Sequence, residues 1–106
     1  MSNRNVCNFY KKMTAWEFCI YILNSIRGKT TIDKITYFKY RFGLVRYLQD
    51  IVYSNNNIQY LPDNIEEGYE DYCKYVRPVN KEKYLKIIQS QVSQVLAMVD
   101  ELKVED

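Results

Sequence analysis

The chain of 106 residues predicts a mainly helical fold, and three observations carry that expectation. Near its end, Leu85, Ile88, Val92, Val95, Val99 and Leu102 recur at alternating steps of three and four, which stacks them into one seam along a helix. Near its start, Thr14 and Glu17 form a capping box ahead of a second helically spaced set. An apolar share of 47% beside 26% charged residues is globular composition and argues against disorder. The expectation is one domain of about five helices over 13–106, preceded by a loose arm over 1–12.

Taken in order, the first firm helix begins at Thr14, with Met13 and Phe18 placed as a hydrophobic staple. Trp16, Cys19, Ile20, Leu23 and Ile26 form its stripe, and Gly28 is its stop. Thr30 or Thr31 then caps a second helix, for which Ile32, Ile35, Phe38 and Phe42 are the expected buried stripe. The alternation of Phe38, Tyr40 and Phe42 with Lys39 and Arg41 also reads as a strand, and the preceding cap favours helix. Gly43 punctuates, and Leu44, Val45, Tyr47, Leu48 and Ile51 continue as a third helical piece.

From 51 to 61 two readings stand level. Two β-favouring runs flank Ser54, Asn55, Asn56 and Asn57, which is a hairpin signal; the other reading is a helix ending near Tyr53 with an irregular Asn loop. Asp63 with Glu66 suggests another capping box. The helix it opens has a stripe of Ile65, Tyr69, Tyr72, Cys73 and Val76, is weakened by Gly68, and ends at Arg77-Pro78. Asn80 caps the last helix, 80–104. Its seam must bury itself inside the chain or against a second copy, so this helix is read as a packing or dimerisation element.

Catalytic and cofactor patterns are missing. The chain has no histidine, which removes the commonest general base and half of the usual nucleophile pairs. Its three cysteines, Cys7, Cys19 and Cys73, have no paired ligand spacing, so neither a metal site nor a cofactor is expected. The three glycines form no phosphate-binding loop. No apolar run approaches a membrane span and 1–12 lacks a signal-peptide core, so the expectation is a cytoplasmic protein without a membrane partner and without enzyme activity.

Charge is segregated although the net is only +2. Residues 1–46 hold nine Lys and Arg against Glu17 and Asp33, whereas 47–73 hold six acids and no base. Within the basic part, Lys29, Lys34, Lys39, Arg41 and Arg46 interleave with Tyr37, Tyr40 and Tyr47. Lys and Arg neutralise phosphates and Tyr stacks or donates, so this stretch is the candidate nucleic-acid surface. Three helices followed by a hairpin is the element order of a winged helix-turn-helix, with Asn55, Asn56 and Asn57 at the wing tip. The first functional expectation is therefore a winged-helix-like transcriptional regulator that binds double-stranded DNA as a homodimer through the C-terminal helix. The alternative is a plain helical bundle acting as a non-catalytic protein-interaction module, an adaptor or inhibitor, through the tyrosine-rich acidic helix 63–76. A hairpin at 51–61 favours the first reading and a continuous helix the second.

Overall fold

A computed structural model describes residues 13–106. The arm read at 1–12, with Cys7, lies outside the described residues. Four helices and two short strands follow: α1 (Ala15–Ile26), β1 (Thr31–Asp33), α2 (Lys34–Asn56), α3 (Asp63–Tyr75), α4 (Lys81–Glu101) and β2 (Lys103–Glu105). The fold is thus mainly α, as expected, with four helices among the described residues rather than five.

Helix α1 starts and stops where its sequence predicts, but Ile20 of the expected stripe is exposed and Phe18 and Ile22 are buried with Cys19 and Ile26. The Thr14 hydroxyl accepts from the Glu17 N–H at 3.2 Å, and the Glu17 carboxylate accepts from the Thr14 N–H at 2.9 Å. Gly28 takes φ +75°, a left-handed turn that favours glycine, and the Lys29 N–H returns to the Ile26 carbonyl at 3.0 Å. The chain then departs from the expectation. Residues 31–33 are a strand, and Asp33, not Thr30 or Thr31, is the cap: its carboxylate accepts from the Thr36 N–H at 3.0 Å and from the Thr36 hydroxyl at 2.6 Å. β1 pairs in parallel with β2, aligning Ile32 with Val104, so the chain's last residues close back onto the entry to α2.

The largest correction concerns α2. The helical pieces read on either side of Gly43 are one helix of 23 residues, and Gly43 lies buried within it rather than ending it. The helix runs through Ile51, Val52 and Tyr53 to Asn56, so 51–61 is not a hairpin and the wing of the winged-helix expectation is missing. Asn57 ends the helix, with its N–H on the Ser54 carbonyl at 3.1 Å, and a turn leads to Pro62. Of the stripe read as buried before Gly43 only Ile32 is so, whereas Leu44, Tyr47 and Ile51 after it are buried as expected. Tyr40, Leu44, Tyr47 and Ile51 face the core, while Ile35, Phe38 and Phe42 face out. Residues two places apart on a helix are about 200° apart around it, so Phe42 opposes both Tyr40 and Leu44.

Helix α3 starts without a side-chain cap. Asp63 lies inside the first turn instead of forming a capping box with Glu66, and there it still complements the helix dipole. Ile65 and Tyr72 are buried, and Val76, expected in the stripe, is exposed. Helix α4 is capped by Asn80, whose side chain accepts from the Lys83 N–H at 2.8 Å, and it ends at Glu101 rather than at the expected 104 because Lys103–Glu105 pairs with β1. Its seam, Leu85, Ile88, Val92, Val95 and Val99, is 0–1% exposed within the single chain, and Leu102 packs at the edge. α4 lies against α2 and α1, and α3 packs on α1. The seam is therefore core, and that face is not available for the homodimer contact expected of it.

Aromatic rings join the helices. Trp16 of α1 meets Tyr72 of α3 edge-on at 5.3 Å, and Tyr84 of α4 lies 5.5 Å from Tyr72 and 5.6 Å from Tyr69. Phe18 packs against Tyr47 of α2 at 5.5 Å, and the Tyr47 hydroxyl donates to the Met13 carbonyl. Gly68 makes room for Tyr84: a Cβ there would sit 2.7 Å from the Tyr84 hydroxyl oxygen and 3.3 Å from the Thr14 Cβ.

Two predictions follow from this packing. Gly68→Ala will destabilise the protein by about 1–3 kcal/mol, because a rigid buried ring must move. Tyr84→Phe will change stability by no more than about 1 kcal/mol, since no protein group among the described residues bonds its buried hydroxyl. Combining the two will recover most of the Gly68→Ala loss, as read by denaturant unfolding; no recovery would show that the ring is not the obstacle. Val95→Asp will unfold or aggregate the protein rather than leave a folded monomer, because it buries a carboxylate inside the chain. Circular dichroism and a size measurement distinguish these outcomes.

Candidate functional site

The described residues hold little that resembles a catalytic centre. No group of three or more Cys, Asp or Glu is arranged to hold a metal ion among them. An open groove of about 680 Å³ runs between the end of α1 and the end of α4, lined by Leu23, Met98 and Leu102 with Arg27, Lys29 and Glu101. Its charged groups come from a loop and two helix ends. Cys19 is fully buried, and burial pushes its thiol from 9.0 up to about 12, so it is protonated at neutral pH. Cys73 points its thiol at the Val79 carbonyl, 3.4 Å away.

The predicted nucleic-acid residues scatter. Tyr40 is buried edge-on against Phe18 and Tyr21, which removes it from any contact surface; burial raises its hydroxyl pKa. Asn55, Asn56 and Asn57 close the far end of α2, where the Asn56 and Asn57 amides donate back to the Val52 and Tyr53 carbonyls at 3.3 and 3.1 Å. Lys29 sits in the loop after α1. Lys34, Lys39, Arg41 and Arg46 all lie on α2, within about 18 Å of helix length.

Folding also supplies this basic stretch with an acid from far along the chain. Asp100 of α4 accepts from the Tyr37 hydroxyl at 2.9 Å, which raises the Tyr37 pKa, and lies 3.9 Å from the Arg41 guanidinium. That ion pair is long and about half exposed, so it contributes little. Arg46 donates to Gln49 at 3.4 Å, and Lys39 and Phe42 each make a further contact of their own.

What α2 does present is an outward apolar row. Ile35, Phe38, Phe42, Val45 and Val52 fall at heptad spacing with Gln49 in line and Tyr53 alongside; of these Val45 is half-buried. Ile35 is 76% exposed, Phe38 55% and Val52 53%. Lys34 and Arg41 stand one residue before Ile35 and Phe42, and Lys39 and Arg46 one residue after Phe38 and Val45. A basic margin therefore runs along each side of the row's first half. The acidic helix 63–76, the other expected surface, turns Tyr72 into the core and Tyr69 onto the Val79 carbonyl at 2.9 Å, leaving Tyr75 open. The spacing of Ile35, Phe38 and Phe42 is visible in the sequence, where it reads as a buried stripe.

No family model, curated protein or solved structure matches the chain. No helix among the described residues is long and apolar enough to cross a membrane.

The buried thiol generates a pH prediction. Cys19 ionises near 9 when unfolded and near 12 when folded, and Tyr84 is likewise raised above its ordinary 10.0 by burial. The stability these protonated groups provide is intact below pH 9. It falls as pH rises above 9, because the unfolded chain releases protons first, by up to about 1.4 kcal/mol per pH unit for each group. Denaturant unfolding at pH 8, 9.5 and 10.5 will show this fall, and Cys19→Ala will make it shallower. An unchanged slope in that variant would remove Cys19 as its source.

Proposed function

We propose that this chain is a non-catalytic protein-interaction module that binds another protein through the outward face of α2. The observation carrying the reading is a comparison inside the molecule. Helices α2 and α4 are similar in length, and each has a buried seam at the same spacing. Opposite its seam α4 is mostly polar, with Lys86, Ser90, Ser93 and Gln94, and Met98 is its one large apolar side chain that is exposed. Opposite its seam α2 has Ile35, Phe38, Phe42, Val45 and Val52 instead. Single exposed apolar side chains such as Tyr60 and Tyr75 are ordinary on a protein surface, whereas several aligned on one helix face mark an interaction surface.

The DNA-binding expectation drew on two features, basic side chains and the order of elements. The basic side chains are present on α2; the wing and the separate recognition helix are replaced by one continuous helix. An α2 face entering a DNA groove would also set Ile35 and Phe38 against phosphates and water. A protein partner suits this face better than a duplex.

Photo-reactive residues at positions 38 and 52, with a control at Ser93 on the wet face of α4, test the reading in cells that produce the protein. Discrete adducts from 38 and 52 and none from 93 are expected, and they should vanish when Ile35 is also replaced by Ser. Adducts equally strong from 93, or steep salt-dependent duplex binding that survives Ile35→Ser and Phe38→Ser, would overturn it.

A further inference from the structure

The partner's chemistry is written into the margins of the α2 row. In heptad terms Ile35, Phe42 and Gln49 occupy a positions and Phe38, Val45 and Val52 occupy d positions. The flanking positions, g and e, are then Lys34, Arg41 and Leu48 on one side and Lys39, Arg46 and Tyr53 on the other. All four charged flanks carry the same sign.

That pattern rules against a second copy of α2 as occupant. In a parallel pair, g faces e of the partner, so Lys34 meets Lys39 and Arg41 meets Arg46. In an antiparallel pair, g faces g and e faces e, so Arg41 meets Arg41 and Lys39 meets Arg46. Either orientation sets like charges opposite each other. A second copy's acidic helix does not fit either. α3 directs Ile65 and Tyr72 into its own core, and its outward face carries Asp63, Glu67 and Glu70 with no apolar row between them.

Building on the docking face proposed above, we infer that α2 receives an amphipathic helix of a different protein, one with apolar a and d residues and Asp or Glu at its e and g positions. Such a helix buries the row while placing a carboxylate beside each of Lys34, Lys39, Arg41 and Arg46. At Arg41 it would take over from Asp100, whose pairing is long and solvent-exposed. The narrowness of the row favours a helix over a lipid surface. Over the row's first half charged side chains stand one residue from its centre line on both sides, where a partner helix's flanks come to rest, whereas an interfacial helix needs a broad apolar face along its length to sink into the headgroups.

The probe is a synthetic helical peptide of about three heptads with Leu at a and d and Glu at e and g. Its control has Lys at e and g. The full chain should bind the Glu peptide in calorimetry at least about tenfold more tightly than the Lys peptide. Binding should weaken with salt, and it should be lost in the Ile35→Ser, Phe38→Ser, Val52→Ser variant. These positions are exposed, so that variant should keep the wild-type circular dichroism and melting temperature; if it does not, Lys39→Glu with Arg46→Glu, which should reverse the peptide preference, replaces it. Equal affinity for both peptides, binding that survives the triple variant, or tighter binding to phosphatidylserine vesicles or to duplex DNA would each overturn the acidic-helix partner. Cross-links at 38 and 52 without any Glu-peptide preference would overturn this inference while leaving the docking face standing; absence of both would remove the two together.

Discussion

The seam of α4 against the inner face of α2 is the contact on which the remaining structure depends. Ile88, Val92, Val95 and Val99 come from one helix, and Tyr40, Leu44, Tyr47 and Ile51 from the other; all are buried, and each contributes on the order of 1.5–3 kcal/mol. Neither row can be hidden within its own helix, so the two long helices must lie side by side. Once they do, α1 fits across them through Phe18 and Ile22, and α3 packs on α1 through Trp16 and Tyr72. The parallel strand pair is a consequence of the same packing. It needs the residues just before α2 and those just after α4 to meet, and it joins them at Ile32 and Val104.

This arrangement also decides which charges meet. Asp100 is more than sixty residues from Tyr37 in sequence, yet it faces Tyr37 and Arg41 because α4 runs along α2. The basic segment read from sequence as almost free of acids thus acquires one by folding. The remaining basic side chains of α2 stand as two margins of an apolar row rather than as a phosphate-binding patch.

Much of the fold was legible because its signals are local. The capping box of Thr14 and Glu17, the left-handed stop at Gly28, the Asn80 cap and the α4 seam each depend on neighbours a few residues away, and each stands where the sequence placed it. What was not legible depends on partners far along the chain. A helix with apolar residues on opposite faces does not say which side turns inward, and Ile35 with Phe38 reads as convincingly as Leu44 with Tyr47 until α4 is in place. Gly43 looked like a break because glycine is a poor helix former, a cost of about 1 kcal/mol that a long packed helix absorbs. The Asn run reads equally as a hairpin turn and as a helix end because β-branched residues flank it, and burial of Ile51 and Ser54 on the helix's inner face decides for the helix. The β1–β2 pairing had no local signal, since three-residue strands joined across most of the chain leave no periodicity to read.

A face that is to bind must also be held still, and α2 is fixed from behind along its whole length. Asp33 caps its start beside the strand pair, Tyr47 ties its middle to Met13, and Ile51 and Ser54 anchor its last turns in the core. The side chains of the outward row stand on a backbone that is already ordered. A partner helix docking there would order rotamers but no new backbone, and ordering is among the main costs that separate buried area from affinity. The same rigidity makes the spacing of Lys34, Lys39, Arg41 and Arg46 a fixed template. A partner whose carboxylates fall in other registers leaves them apart from the basic margins, so the helix that supplies the core also sets the terms on which another helix can be recognised.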